Sequence, residues 1–462
     1  MIPKSYLYVK LLGMSSLGEK LPLISILPFA GILLSISLFP IIAPRFWHKH
    51  FGKISLFWAI LSALPLLYLS PKGTFHEILH VLLAEYIPFI LLLSSLYIIS
   101  GNIYLQGNFS GTPLFNTIYL LTGTLLASLM GTTGASIVLI RPLLRANAWR
   151  KNKAYIFVFF IFLVSNIGGS LTPLGDPPLF LGFLKGVPFF WTLNLFPSML
   201  LCVFFLLVLF YLIDTINFKK EKERFPKDLK KKTFLILGWY NLFFLVGVPI
   251  TILLSANFHL PGIHVFGIER PLNEIFRDIF FVLLAGVSFF ITPREIREKN
   301  EFTLFPIKEV AILFFGIFIA MLPAISILQA GERGVLNPLI SKLNEPAHYF
   351  WITGLLSAFL DNAPTYLTFL STCLGKFYPG LPEKEAIVNL IQNYPKYLLA
   401  ISEGAVFFGA LTYIGNAPNF MVRSIAEEKG ITMPSFFGYL LKYSIPILIP
   451  LFILLTLIFY RG

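Results

Sequence analysis

Residues 169 to 178 read Gly-Ser-Leu-Thr-Pro-Leu-Gly-Asp-Pro-Pro, and residues 409 to 418 read Gly-Ala-Leu-Thr-Tyr-Ile-Gly-Asn-Ala-Pro. The two align without a gap at an offset of 240, sharing Gly, Leu, Thr, Gly and Pro. Neither stretch can stay helical, because proline lacks the amide donor and glycine weakens helix propensity. Yet both lie inside long apolar runs, 154 to 188 and 396 to 428. Such a break in a membrane helix is tolerated only where the freed amides and carbonyls line a cavity or hold a ligand.

Working outward, the composition fixes the solvent. Of 462 residues, 56% are hydrophobic and only 13% are charged, against about 25% in a soluble domain. That is too little charge to cover two or three globular domains, so the lipid bilayer is the expected partner. Apolar runs of 18 or more residues, such as Leu21 to Ile42, select helices, and the alternating pattern of a barrel is absent. The net charge of +13 sits in connections, where the positive-inside rule accounts for it without nucleic acid. Cys202 and Cys373 lie in apolar stretches with no CxxC neighbour and read as small core hydrophobes.

Windows of about twenty residues predict spans near 22 to 43, 54 to 71, 78 to 100, 154 to 188 and 192 to 216. A second set is predicted near 233 to 255, 275 to 292, 306 to 328, 396 to 428 and 434 to 460. Between the third and fourth members of each set lies an apolar segment whose arms are too short to cross, which reads as a re-entrant hairpin. These hairpins are 113 to 146, broken at Met130-Gly-Thr-Thr-Gly134, and 348 to 375, broken at Leu360-Asp-Asn-Ala-Pro364. The expected fold is an all-α polytopic membrane protein of two inverted repeats, each with five spans and one hairpin, and with broken helices at the midplane. The first repeat is 1-217, the basic cytoplasmic linker is 218-232, and the second repeat is 233-462. With the N-terminus outside, the inward connections carry 19 Lys or Arg and the outward ones 6. The N-terminal stretch reads as the lead into a first span rather than a cleaved signal, and no lipidation motif appears. The expected location is the cell membrane, the inner membrane in a Gram-negative organism.

Charge at membrane depth is costly, so deep acids mark sites. Four are found: Glu85, Asp176, Asp361 and Glu403. Asp176 and Asp361 occupy breaks, beside the amides Asn166, Asn362 and Asn416 and the hydroxyls Thr132, Thr133, Ser165, Thr172 and Thr412. Gly175 and Gly415 complete the candidate site. A carboxylate among amide and hydroxyl oxygens suits a hard monovalent cation, and a buried carboxyl can also hold a proton. Sodium or a proton is therefore the expected coupling ion, with no cofactor and no metal beyond the transported cation. The alternative for Asp361 is a cap of the hairpin's second arm. Glu403 and Glu85 are read either as a proton relay or as structural contacts. Arg141 and Arg423 either attract an anionic substrate or snorkel to headgroups.

His76-Glu77-Ile78-Leu79-His80 matches the HExxH zinc pattern, which opens a third reading as an intramembrane metalloprotease. No third ligand is evident, and an interfacial role at the start of the third span accounts for both histidines. The chain is therefore read as a transporter rather than an enzyme. No GxxxxGK[ST] nucleotide loop is present.

The stretch Ser165 to Gly186, with GTTGASIVLIRPLLRANAWRKNK before it and ALTYIGNAPNFMVRSIAEEKG in the second half, resembles the ion transporter superfamily. Within it the chain is most similar to the putative citrate transport and NhaD-type sodium:proton antiporter families, over nearly its whole length. The resemblance implies that the hairpin tips at Gly131 to Gly134 and Asp361 to Pro364, with the breaks at Asn166 to Asp176 and Thr412 to Asn419, build the substrate and cation site. It also implies a homodimer in which the site-bearing elements move as an elevator. Dicarboxylate carriers of the superfamily have Ser-Asn-Thr at their tips, and these tips depart from that pattern. The expected activity is sodium (or lithium):proton antiport, with cation-coupled transport of citrate or another small carboxylate as the alternative.

Overall fold

Proline opens most of the helices, since the first turn of a helix has no use for the amide that proline lacks. The computed structural model describes residues 17–107, 110–225, 235–258, 260–330 and 333–461. A 3-10 turn leads into α1 (Leu27–Ile42), followed by α2 (Pro44–Leu69), α3 (Pro71–Val81) and α4 (Ile87–Gly101). The first hairpin is α5 (Pro113–Met130) and α6 (Thr132–Ala146), the first broken segment is α7 (Ala154–Leu163) and α8 (Pro177–Lys185), and α9 (Phe196–Glu221) follows. The order then recurs with α10 (Asn241–Asn257), α11 (Leu272–Ile291), the short α12 (Arg294–Lys299), α13 (Phe305–Ala320), α14 (Leu322–Gln329) and α15 (Asn337–Ile340). The second hairpin is α16 (Pro346–Ser357) and α17 (Asn362–Phe377). After α18 (Glu383–Asn393) come the second broken segment, α19 (Pro395–Phe408) and α20 (Ala417–Glu428), and then α21 (Phe436–Tyr439) and α22 (Ile445–Phe459). Among the described residues strand is confined to two short antiparallel pairs, β1 (Tyr104–Gln106) with β2 (Leu235–Leu237) and β3 (Gly262–Val265) with β4 (Ile268–Pro271).

The protein is thus an all-α polytopic membrane protein. Among the described residues six helices are long and apolar enough to cross a membrane, seven with the bent pair α13–α14. The broken segments fall outside that count because each half is short. Helix α5, expected as a short re-entrant arm, is 18 residues long and falls inside it. Leu56, Phe57, Ile60 and Leu64 of α2 and Phe204 and Leu212 of α9 are exposed, as lipid-facing positions should be.

Packing crosses between the halves. α2 lies on α1 and α13, while α11 lies on α10 and α4. The second arm of each hairpin packs on the broken segment of the other half, α6 against α20 and α17 against α8. Every residue of α7 from Tyr155 to Leu163 is buried, so this all-apolar helix forms the middle of the core.

Several elements differ from the sequence expectation. α2 begins at Pro44, ten residues before the predicted span, because Arg45, Lys49 and Lys53 extend the helix outside the apolar window. The third span contains a π-turn at Leu82–Tyr86 and the last contains one at Leu440–Ser444. Each is followed by a proline, Pro88 or Pro446, whose missing amide cannot close the regular ladder. The span 306 to 328 bends by 41° at Met321, two residues before Pro323. The start of the expected linker is helical, since α9 runs to Glu221 and a 3-10 turn continues to Arg224, while 226–234 lie outside the described residues. The same is true of residues 1–16 at the N-terminus.

Candidate functional site

The first hairpin turns on one residue. Gly131 has φ +80°, a conformation open to glycine, and a Cβ there would meet the Leu174 carbonyl at 3.3 Å. α6 therefore restarts at Thr132, whose amide donates to the Gly175 carbonyl at 2.8 Å and seats the tip on the first break. At Gly175 a side chain is excluded outright, because a Cβ would fall 2.0 Å from the Gly169 carbonyl oxygen. Gly415 repeats this approach, 2.7 Å from the Gly409 carbonyl oxygen.

The two breaks share further contacts. Thr172 donates its hydroxyl to the Ser128 carbonyl near the end of α5, and Thr412 donates to the Ala358 carbonyl at the end of α16. Asp176 and Asn416, also 240 residues apart, are the extended N-cap residues of α8 and α20. They meet directly: Asn416 Nδ2 donates to Asp176 Oδ1 at 3.0 Å. The same oxygen accepts from Thr132 Oγ1 at 3.0 Å, and Oδ2 accepts from Asn362 Nδ2 at the second hairpin tip. One buried carboxylate therefore gathers a residue from each hairpin tip and from the opposite break.

A second layer holds this cluster in place. Asn416 also donates to the Ser165 carbonyl at 3.1 Å, and Ser165 and Ser136 share a 2.9 Å hydrogen bond between α6 and the first break. Asn166 donates to Asn419 Oδ1 at 2.7 Å, and Asn419 donates to the Gly409 and Thr412 carbonyls. Ser128 and Ser136 are not among the residues named from the sequence, and Asn419 enters there only as the end of the break that the resemblance implies. Asn419 had a readable signal, three residues past Asn416 within the matched second break.

Asp361 caps α17, its Oδ1 accepting from the Ala363 amide at 3.1 Å, and the Asp361 carbonyl accepts from Thr365. Thr133 is half-buried at the first tip. Asn362 Oδ1 is buried beside Asp176 without a hydrogen bond, so it is an oxygen free to ligate. α6, α8, α17 and α20 all begin at this point, and their N-termini bring partial positive charge to it.

The other deep acids lie apart from the cluster. Glu85 pairs with Lys185 at 2.8 Å, and Lys185 also reaches Glu383 at 3.0 Å. Glu403 accepts from Tyr460 at 2.7 Å. Asp214, which is not among the four deep acids named from the sequence, is also fully buried, held by Arg150, Asn116 and Tyr155. Arg141 pairs with Glu301 at 3.3 Å, and Arg423 pairs with Glu427 at 2.9 Å and stacks over Tyr413. His76 and His80 lie one turn apart on α3, and His76 lines a cavity with Pro71, Lys72, Phe75, Leu79 and Phe266.

A family model described as "Putative citrate transport" matches residues 18–460. The chain belongs to that family. Membership accords with the ion transporter superfamily resemblance read from the breaks and makes the protein a transporter. No curated protein matches it. In this citrate transport family member, the matched region contains both hairpins and both breaks.

Proposed function

We propose that the protein is a secondary transporter of the cell membrane that exchanges sodium or lithium for protons at Asp176. The observation that carries this reading is the Asp176 carboxylate, 1% exposed, fixed by Thr132, Asn362 and Asn416 with neutral donors only. An isolated charge at membrane depth is costly, and a bound cation or a proton removes the cost. The two cannot be held by the same oxygens at once, so uptake of one releases the other. In this reading Asp176 and Asn362 Oδ1 are the first cation ligands. Asp361, Thr133 and the carbonyls at 173 to 174 and 413 to 415 are within the same set of tips and breaks. The paired contacts of Thr172 with Thr412, Gly175 with Gly415 and Asp176 with Asn416 support two inverted repeats sharing one central site. A homodimer with moving site-bearing elements belongs to the same proposal.

A second reading is cation-coupled transport of citrate or another small carboxylate. The family match and the four helix N-termini at the centre favour it, since amides and dipole ends attract anions. Purified protein in proteoliposomes tests both readings with sodium, lithium, citrate and succinate. Sodium-dependent collapse of an imposed pH gradient without citrate supports exchange. Citrate uptake that requires sodium or a proton gradient supports the second reading instead. Movement of none of the four overturns both.

A further inference from the structure

Glu403 lies mid-way along α19, fully buried and outside the Asp176 cluster. Its Oε2 accepts from the Tyr460 hydroxyl just past the end of α22, while its Oε1 is buried with no hydrogen bond. The Ser198 hydroxyl, in the first turn of α9, is buried and faces this carboxyl. The titratable groups turned toward Glu403 are Tyr460 and, from α9, Cys202. On the other helices packed against α19, Tyr366 of α17 faces Ser402, and Tyr349 of α16 faces Cys373. Lys185 of α8 is paired with Glu85 and with Glu383 of α18. No basic side chain pairs with Glu403 among the described residues.

A buried carboxylate with only neutral hydroxyl neighbours and no cation is strongly unfavourable. A proton on Oε1 removes that charge, and Ser198 Oγ, which can donate or accept, can partner Oε1 in either state. Tyr460 is buried, and the next residue in the chain, Arg461, is exposed.

We infer that Glu403, between Ser198 and Tyr460, is a second proton-binding site, distinct from Asp176, which exchanges with the bath past Tyr460 and sets the alkaline limit of transport. Loss of this proton leaves an unpaired charge between α19, α9 and α22. α19 runs directly into the break whose Asn416 holds Asp176, so the charge disturbs the frame of the central site. The effect on rate rests on the transport reading, whereas the protonation itself does not.

The test uses the full chain and two independent readouts. Infrared pH-difference spectra of purified protein should contain a protonated-carboxyl band that is lost in Glu403→Gln and kept in Asp176→Asn. In proteoliposomes, transport by the unaltered protein should fall at alkaline pH. Glu403→Gln, fixed in the neutral form, should stay several-fold more active there. Tyr460→Phe removes a donor that favours the charged form, so it should move the alkaline limb to higher pH. An unchanged band in Glu403→Gln, no alkaline decline in the unaltered protein, or limbs that coincide in all three proteins would overturn the inference. If Glu403→Gln does not reach the membrane, the Tyr460→Phe limb decides alone. If no ion or carboxylate moves, the transport reading fails and the infrared band still decides Glu403.

Discussion

Replacing Asp176 by Asn keeps the size of the side chain and removes its charge. Three donors converge on the carboxylate, from Thr132, Asn362 and Asn416. A hydrogen bond to a charged group is worth about 1.5 to 3 kcal/mol against about 0.5 to 1.5 for a neutral pair. Over three bonds the variant loses about 3 to 4.5 kcal/mol of hold on the two tips and the second break. The loss is greater where the new amide nitrogen faces one of the asparagine donors. At about 1.4 kcal/mol per factor of ten, this weakens cation retention by two to three orders of magnitude before the lost ionic attraction is counted. The assay is a sodium pulse to everted vesicles carrying a pH-sensitive dye, with protein level checked in the same membranes. Asp176→Asn should give no sodium-dependent response, and sodium should no longer raise the melting temperature of the purified protein. A response near that of the unaltered protein would refute the assignment of Asp176 as the cation site.

Asp361→Asn separates capping from ligation, because asparagine caps a helix as well as aspartate. Exchange should be lost while the melting temperature is kept; intact exchange would reduce Asp361 to a cap. Asp214→Ala leaves the buried Arg150 without its carboxylate, and thermal unfolding should report a loss of about 3 to 5 kcal/mol. Lys185→Met should cost about as much by stranding Glu85, and adding Glu85→Gln should recover most of it; additive losses would show that the pair is uncoupled. Glu301, in the connection before α13, is held below the ordinary carboxylate range, first by its hydrogen bond from Lys429 and also by Arg141. A depressed carboxyl stabilises the fold above its unfolded pKa and loses that contribution as pH falls through the folded one. The gap in melting temperature between Glu301→Gln and the unaltered protein should therefore be present at neutral pH and close on acidification.

The breaks were legible because glycine and proline act locally: Gly169 to Pro178 could not be helical in any fold, and its partner at 409 to 418 sat at a fixed offset. The convergence of Asp176 with Asn416 was implied only by that offset, and the contact itself required the two halves to be folded together. Asp214 was missed for a related reason. Its partner Arg150 is 64 residues away, and in a window of apolar residues the acid near the end of a span looks like a loop charge. The bend at Met321 and the π-turns are small departures within helical apolar runs, and hydropathy does not register them. Glu85 was recognised as deep, but Lys185 had been part of a break's far end, with nothing local to join the two.

The two hairpins differ in how their arms are joined. One turns on Gly131 alone, with Leu174 against it, whereas the other spends residues 358 to 361 between its arms. In mechanical terms the first is a pinned joint with almost no slack, and the second is a short strap of four residues, tied at Ala358 to Thr412 and at Phe359 to Ser37. An extra residue inserted there shifts one arm of one hairpin, but the same insertion at Gly131 pulls Thr132 off both Gly175 and Asp176.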